Sequence, residues 1–157
     1  MNTALLESLR DALAGDGREA SISHGLVVVE LPADALLATA GKLKSEHGFD
    51  LFLDVTAVDW PQREPRFDVV WHFYSTRDFV RVRLRTRVPA DDPTVDSLIS
   101  LYGAAHFMER ECHDMYGIRF RGNPDLRPIL LYEGFEGHPL RKDYPKRLEQ
   151  PLVPYRK

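Results

Sequence analysis

The amino-acid sequence predicts an α+β domain of two layers, with a mixed, mainly antiparallel sheet packed on helices, followed by an extended irregular C-terminal segment. Three observations carry this. Runs rich in β-branched and aromatic residues at Leu51 to Asp59, Arg66 to Ser75 and Phe79 to Val88 are joined by short connections, which favour antiparallel neighbours. The last run alternates strictly, Val80, Val82 and Leu84 against Arg81, Arg83, Arg85 and Arg87, as a sheet with one wet face requires. Two stretches with apolar residues at helical spacing precede these runs and can cover the dry face.

Element by element, Thr3 to Ala14 reads as a helix because Leu5, Leu9 and Leu13 recur every four residues, with Gly15 and Gly17 as its stop. Leu26 to Leu31 (LVVVEL) reads as a strand. Pro32 opens a second helix, Ala33 to His47, with Leu36, Leu37, Ala40 and Leu43 inward and Gly48 after its end. The three strands follow. Pro89 to Pro93 is a loop, Val95 to Tyr102 a short helix and Ala104 to Tyr116 a longer one, ended by Gly117 in a left-handed cap. On the longer helix Arg110 and Asp114 stand four apart and can pair. From Gly117 on there are six prolines and no sustained period. The chain therefore divides into an α+β domain over residues 1–116 and a Pro/Gly-rich tail over 117–157.

Composition bounds the function. At 157 residues with 43% apolar and 29% charged residues, the chain is one ordinary globular domain. The net charge of −3 gives no general preference for nucleic acid or anionic lipid. It is uneven: residues 117–157 carry nine Lys or Arg against five Asp or Glu, whereas the remainder is acidic. The single cysteine, Cys112, excludes an intrachain disulfide and a four-thiolate cluster. The first residues do not read as a secretory signal, and no stretch approaches the roughly twenty apolar residues of a membrane span.

Few residues point to chemistry. His106, Glu109 and His113, with Cys112 near, share a helix face, but a metal site needs ligands from a second element. Cys112 and His113 are adjacent on a helix and point apart, so they cannot act as nucleophile and base. No phosphate-cradling or dinucleotide-binding glycine motif is present. The arginine stripe could serve single-stranded RNA, a protein partner or solvent alone.

The richest stretch runs from Glu109 to Pro145, ERECHDMYGIRFRGNPDLRPILLYEGFEGHPLRKDYP. Its charged residues are interleaved with Gly and Pro, which hold side chains in defined directions and suit recognition of a rigid partner. Arg127 and Arg141 can grip carboxylates bidentately. Phe120, Leu126, Ile129, Leu130, Leu131, Tyr132, Phe135, Leu140 and Tyr144 are too apolar for a disordered tail, so the segment is expected to lie on another protein.

These residues resemble the signature of the C subunit of bacterial NADH:quinone oxidoreductase, respiratory complex I. The match runs through ERExxDMYGIxFxGxPDLRxIL and GFEGHPLRKDYP, and Phe49-Asp50-Leu51 and Ala57-Val58-Asp59 extend it upstream. Asn123, Pro128 and Cys112-His113 depart from the usual pattern. The resemblance implies a cofactor-free accessory subunit of the peripheral arm, in the quinone-reducing module, docking onto subunits D and B. FMN and iron–sulfur clusters would lie in partner subunits. The implied location is the cytoplasmic side of the bacterial inner membrane, reached only through the complex, in a hetero-oligomer without nucleic acid. The interface and signature residues would be Glu109, Arg110, Glu111, Asp114, Gly117, Pro124, Asp125, Leu126, Arg127, Gly134, Gly137, Pro139, Leu140, Arg141, Lys142, Asp143 and Pro145. No catalytic residue is expected. Two alternatives remain: the equivalent subunit of a related membrane-bound hydrogenase or formate-linked complex, and an RNA- or protein-binding domain using the arginine-faced sheet.

Overall fold

Five strands form one mixed sheet, and the order in which they lie explains why the chain needs its helices. The computed structural model describes residues 3–148 and residue 150. Helix α1 (Thr3–Leu13) is followed by β1 (Glu19–Ser23) and β2 (Leu26–Glu30), an antiparallel hairpin. A 3-10 turn at Ala33–Ala35 leads into α2 (Leu36–Ser45), then β3 (Leu51–Asp59), β4 (Phe67–Ser75) and β5 (Val80–Val88) form a meander. The strand order is β1-β2-β5-β4-β3, with β2 parallel to β5 and the other neighbours antiparallel. α2 is thus the crossover that carries the chain from β2 to the far edge, and the meander brings it back. Three further elements complete the fold: β6 (Thr94–Asp96), α3 (Ala105–Tyr116) and β7 (Arg119–Arg121), with β6 and β7 paired in parallel.

The strict alternation of β5 sorts its two faces as predicted. Val80, Val82, Leu84 and Val88 are buried, while Arg81 and Arg87 are exposed. Opposite them on β4, Phe67, Val69, Trp71 and Phe73 are fully enclosed, and the core continues through Leu6, Leu9 and Leu13 of α1 and Leu36, Ala40 and Leu43 of α2. Burying each such Leu or Phe contributes about 1.5–3 kcal/mol, so this one-sided core dominates stability. Phe52, Phe73 and Tyr102 meet with ring centroids 5.4–5.6 Å apart. The Tyr102 hydroxyl donates to the Phe49 carbonyl at 2.8 Å, and burial pushes its pKa up to about 12.

One element is added to the expected ones and two local expectations are corrected. β1 is the added strand; its signal is His24-Gly25, both at positive φ (50° and 76°), the backbone of a tight two-residue hairpin turn. In α2, Leu37 faces outward and Thr39 inward, because the helix proper begins only after the 3-10 turn. Residues 95–102 are not a helix. Thr94–Asp96 is claimed by pairing with Arg119–Arg121, and the Ser97 hydroxyl and Leu98 N–H are claimed by Glu109, leaving one turn at Leu98–Tyr102.

Candidate functional site

Helix α3 organises the described residues that follow it, beginning at its C-terminal end. The last carbonyls of a helix have no partner within it. Here Gly117, at φ 73°, turns the chain so that its own N–H reaches the His113 carbonyl at 2.7 Å. The remaining carbonyls are met by residues 20 or more positions away. His138 Nδ1 lies 2.9 Å from the Asp114 carbonyl and Leu140 N–H donates to that of Met115 at 3.1 Å. Arg141 Nε donates to that of Tyr116 at 2.6 Å. A β-carbon at Gly117 would lie 2.5 Å from His138 and 2.6 Å from Arg141, so the close approach requires glycine.

Residues 123–148 thereby form a strap bound back onto α3 by its own polar groups. The Asp114 carboxylate, nearly buried, accepts the backbone N–H groups of Ile129, Leu130 and Leu131 at 2.7, 2.9 and 3.3 Å, so the chain curls around one anion. Arg110 donates to the carbonyls of Arg127 and Pro128, both at 2.9 Å. Arg110 and Asp114 therefore do not pair with each other, as their spacing allows; each serves the strap. Arg127 grips Asp125 with two nitrogens, and holds its carboxyl below the usual range. Gln150 closes the far end, bonding Glu136 through both its amide atoms and reaching the hydroxyls of Tyr132 and Tyr144.

A second set of bonds ties the strap to the sheet. Asp59, at the end of β3, receives Arg66 Nε and Nη2 at 2.6 and 2.7 Å and the Lys142 N–H at 2.7 Å. Arg66 also reaches Asp143 at 2.8 Å. The Arg66 guanidinium holds the Asp59 carboxyl below its ordinary value, against the opposing pull of burial. Arg66 and Arg141 lie on the Phe67 ring, each 5.1 Å from its centroid.

Glu109 works inward. Fully buried, it accepts the Ser97 hydroxyl at 2.7 Å, the Leu98 N–H at 2.8 Å and the Asn123 amide at 2.9 Å, joining the turn after β6, α3 and the strap's first turn. Burial raises its pKa, and the three donors offset part of that. The expectation that Glu109 and Asp114 face a partner is therefore corrected: both carboxylates are enclosed and committed within the chain. The bond from Arg141 to Tyr116 and that from Arg66 to Asp143 are also internal. Glu111 and Lys142 are exposed, as are Pro124 and Pro145.

The strap's apolar side chains do the opposite. Leu130 is 61% exposed, Leu140 48% and Leu148 50%, and Ile129 and Tyr132 are also open. Phe135 lies between the Tyr132 and Tyr144 rings and Leu126 packs against the core, so the strap's outward apolar surface is centred on Ile129, Leu130, Leu140 and Leu148. Val58 and Trp60, at the β3 end that receives Lys142, are exposed beside it.

The other candidates take their places around this. Cys112 is buried in the core and burial pushes its thiol pKa well up, the condition of an inert structural cysteine. His113 Nδ1 is 2.8 Å from the Ile118 carbonyl, and Glu109 is occupied, so His106, Glu109 and His113 do not converge. Among the described residues no three His, Cys, Asp or Glu are placed to hold a metal ion. On the arginine face, Arg85 and Arg87 pair with Glu30, Arg83 donates to His72 at 2.8 Å, and Arg81 lies over Tyr74. The charges of Arg85 and Arg87 are thus answered within the sheet.

Residues 29–150 match the family described as the respiratory-chain NADH dehydrogenase 30 kDa subunit. Relatives include the C 1 subunit of NADH-quinone oxidoreductase from Rhizobium meliloti (strain 1021), 45% identical over 143 residues that cover 90% of this chain and 71% of that one. The C subunit of the same oxidoreductase from Agrobacterium fabrum is 46% identical over 128 residues, covering 80% of this chain and 64% of that one. A trypsin-resistant fragment of Nqo5 superposes with a TM-score of 0.70 at 30% identity, over 77% of this chain and 98% of the fragment. A chain of the membrane-bound sulfane sulfur reductase, an archaeal respiratory membrane complex, superposes with a TM-score of 0.79 at 25% identity, over 92% and 86%.

Proposed function

The chain belongs to the 30 kDa subunit family of the respiratory-chain NADH dehydrogenase, and from that premise we propose that it is a cofactor-free docking subunit of the peripheral arm of proton-translocating NADH:quinone oxidoreductase. In this role it seats on subunits D and B of the quinone-reducing module. It reaches the cytoplasmic face of the bacterial inner membrane only through the complex, and FMN and iron–sulfur clusters belong to its partners. No helix among the described residues is long and apolar enough to cross a membrane. The chain contributes no reacting group; it holds its neighbours in place.

One observation supports this most directly. The strap presents Ile129, Leu130, Tyr132 and Leu140 outward on a backbone pinned by Asp114, Arg110 and the end of α3. An irregular segment held in one conformation loses little further entropy on binding, so its exposed apolar groups can contribute to affinity at low cost. The test is a Leu130→Ser, Leu140→Ser double variant. Because both side chains are largely exposed, the isolated protein should melt within a few degrees of the wild type. Its co-purification with the other peripheral-arm subunits should fall by at least ten-fold. Full incorporation of the folded variant would refute the docking role.

The likeness to the sulfane sulfur reductase chain supports a second reading, the equivalent subunit of a related membrane-bound respiratory complex such as a hydrogenase-type or formate-linked one. Affinity purification from native membranes separates the two, since only the first brings NADH-oxidising subunits with it.

A further inference from the structure

The turn between β4 and β5 presents a side chain that the fold does not use. Phe79 is 78% exposed, the most open of the large hydrophobic residues described. Its backbone sits at φ 56°, in the left-handed region that L residues other than Asn, Asp and Gly disfavour. Folding alone would favour Gly or Asn here. The turn is nonetheless firmly held. Thr76 donates its N–H and hydroxyl to the Asp50 carboxylate at 2.9 and 2.5 Å. Asp78 accepts Arg77 Nη2 at 2.7 Å, its N–H donates to Ser75 Oγ at 3.2 Å, and the Phe79 N–H donates to the Ser75 carbonyl at 2.9 Å. A strained conformation is thus maintained by its surroundings, and its result is one aromatic ring in water.

We propose that Phe79 is a second docking anchor, entering an apolar socket with a carboxylate at its rim on a neighbouring protein of the assembly. The inference rests on the subunit role proposed above and adds a contact separate from the strap. Arg141 of the strap lies on Phe67 at the start of β4, and Phe79 follows its end, about 26 Å away by the rise of a nine-residue strand. The charge pattern indicates the occupant. Arg77 is answered by Asp78, whereas Arg81, exposed on the next outward position and lying over Tyr74, has no ion pair among the described residues. An arginine without an ion pair two residues from an exposed aromatic side chain fits an apolar pocket with an acidic rim, by charge complementarity. An anionic membrane surface is the poorer match, since a membrane does not require a preset backbone.

The test co-expresses tagged wild-type and variant chains with the rest of the assembly and measures their ratio in the purified complex. Phe79→Asn suits the left-handed backbone, so the free variant should melt at or above the wild-type temperature. In the complex it should be depleted about thirty-fold, the effect of truncating a buried aromatic anchor, and Arg81→Glu should be depleted too. Wild-type incorporation of F79N overturns the proposal; if the strap double variant is still depleted, the subunit role stands without it. If both incorporate normally, both fail. A lowered melting temperature for free F79N shows that the ring packs internally and also overturns it. So does F79N-sensitive binding of the free chain to phosphatidylglycerol vesicles, or an F79N-sensitive dimer, each of which names a different occupant.

Discussion

Replacing Asp114 by Asn should release the strap without unfolding the sheet. The substitution keeps the shape of the side chain, so no cavity forms around this nearly buried position. It removes the charge that three backbone N–H groups share, two at good distances of 2.7 and 2.9 Å and a third at 3.3 Å. Hydrogen bonds to a charged group contribute about 1.5–3 kcal/mol each, so losing the charge assistance of the two good ones costs about 3 kcal/mol. Besides the Arg110 bonds to the Arg127 and Pro128 carbonyls just before it, this anion is the main tether of the Ile129–Leu131 segment, because Leu130 is 61% exposed and buries little against this chain. The cost therefore falls on local opening, raising it about 150-fold. Native-state hydrogen exchange reads this directly: amides of Ile129, Leu130 and Leu131 should lose protection by that factor, while those of β4 keep theirs. Unchanged exchange at the three amides would refute the reasoning, and so would an equal loss of protection in β4. A variant with a released strap should also incorporate poorly into the complex.

Two further outcomes follow from the same junction. Gly117→Ala should cost at least about 2 kcal/mol in denaturant titration, from the left-handed backbone and the 2.5 Å approach to His138. Gly117→Asn, which tolerates the backbone but keeps the β-carbon, should recover only part of that loss. Asp59→Asn removes the bidentate partner of Arg66 but leaves its bond to Asp143, and should cost about 1.5–3 kcal/mol at neutral pH, measured by urea unfolding. The Asp59 pKa is lowered in the folded protein, so its contribution is complete above the unfolded value of 3.8 and disappears as pH falls through the lowered folded one. The wild type should lose that stability in the acid range, and the variant, having no carboxylate there, should not show this component.

What the chain alone determined was whatever repeats with a short period. Alternation in Val80–Val88 specified which face of the sheet is wet, the leucines of Thr3–Leu13 specified a covering helix, and Gly117 specified where α3 stops. The density of Gly, Pro and apolar residues after Gly117 also marked the segment that carries the candidate site, because turn chemistry is written residue by residue. Tertiary structure decided the partners. Arg110 and Asp114 are placed to pair by helical spacing, yet both bind a strap whose backbone offers more donors and acceptors than one side chain does. Glu109 looks like a surface charge in a charged run, but it is enclosed because Ser97, Leu98 and Asn123 converge on it from two other elements. The segment at 95–102 lost its helix to the same convergence. A carboxylate's environment depends on donors far away in the chain, and no local pattern encodes where those donors will be when the sheet has formed.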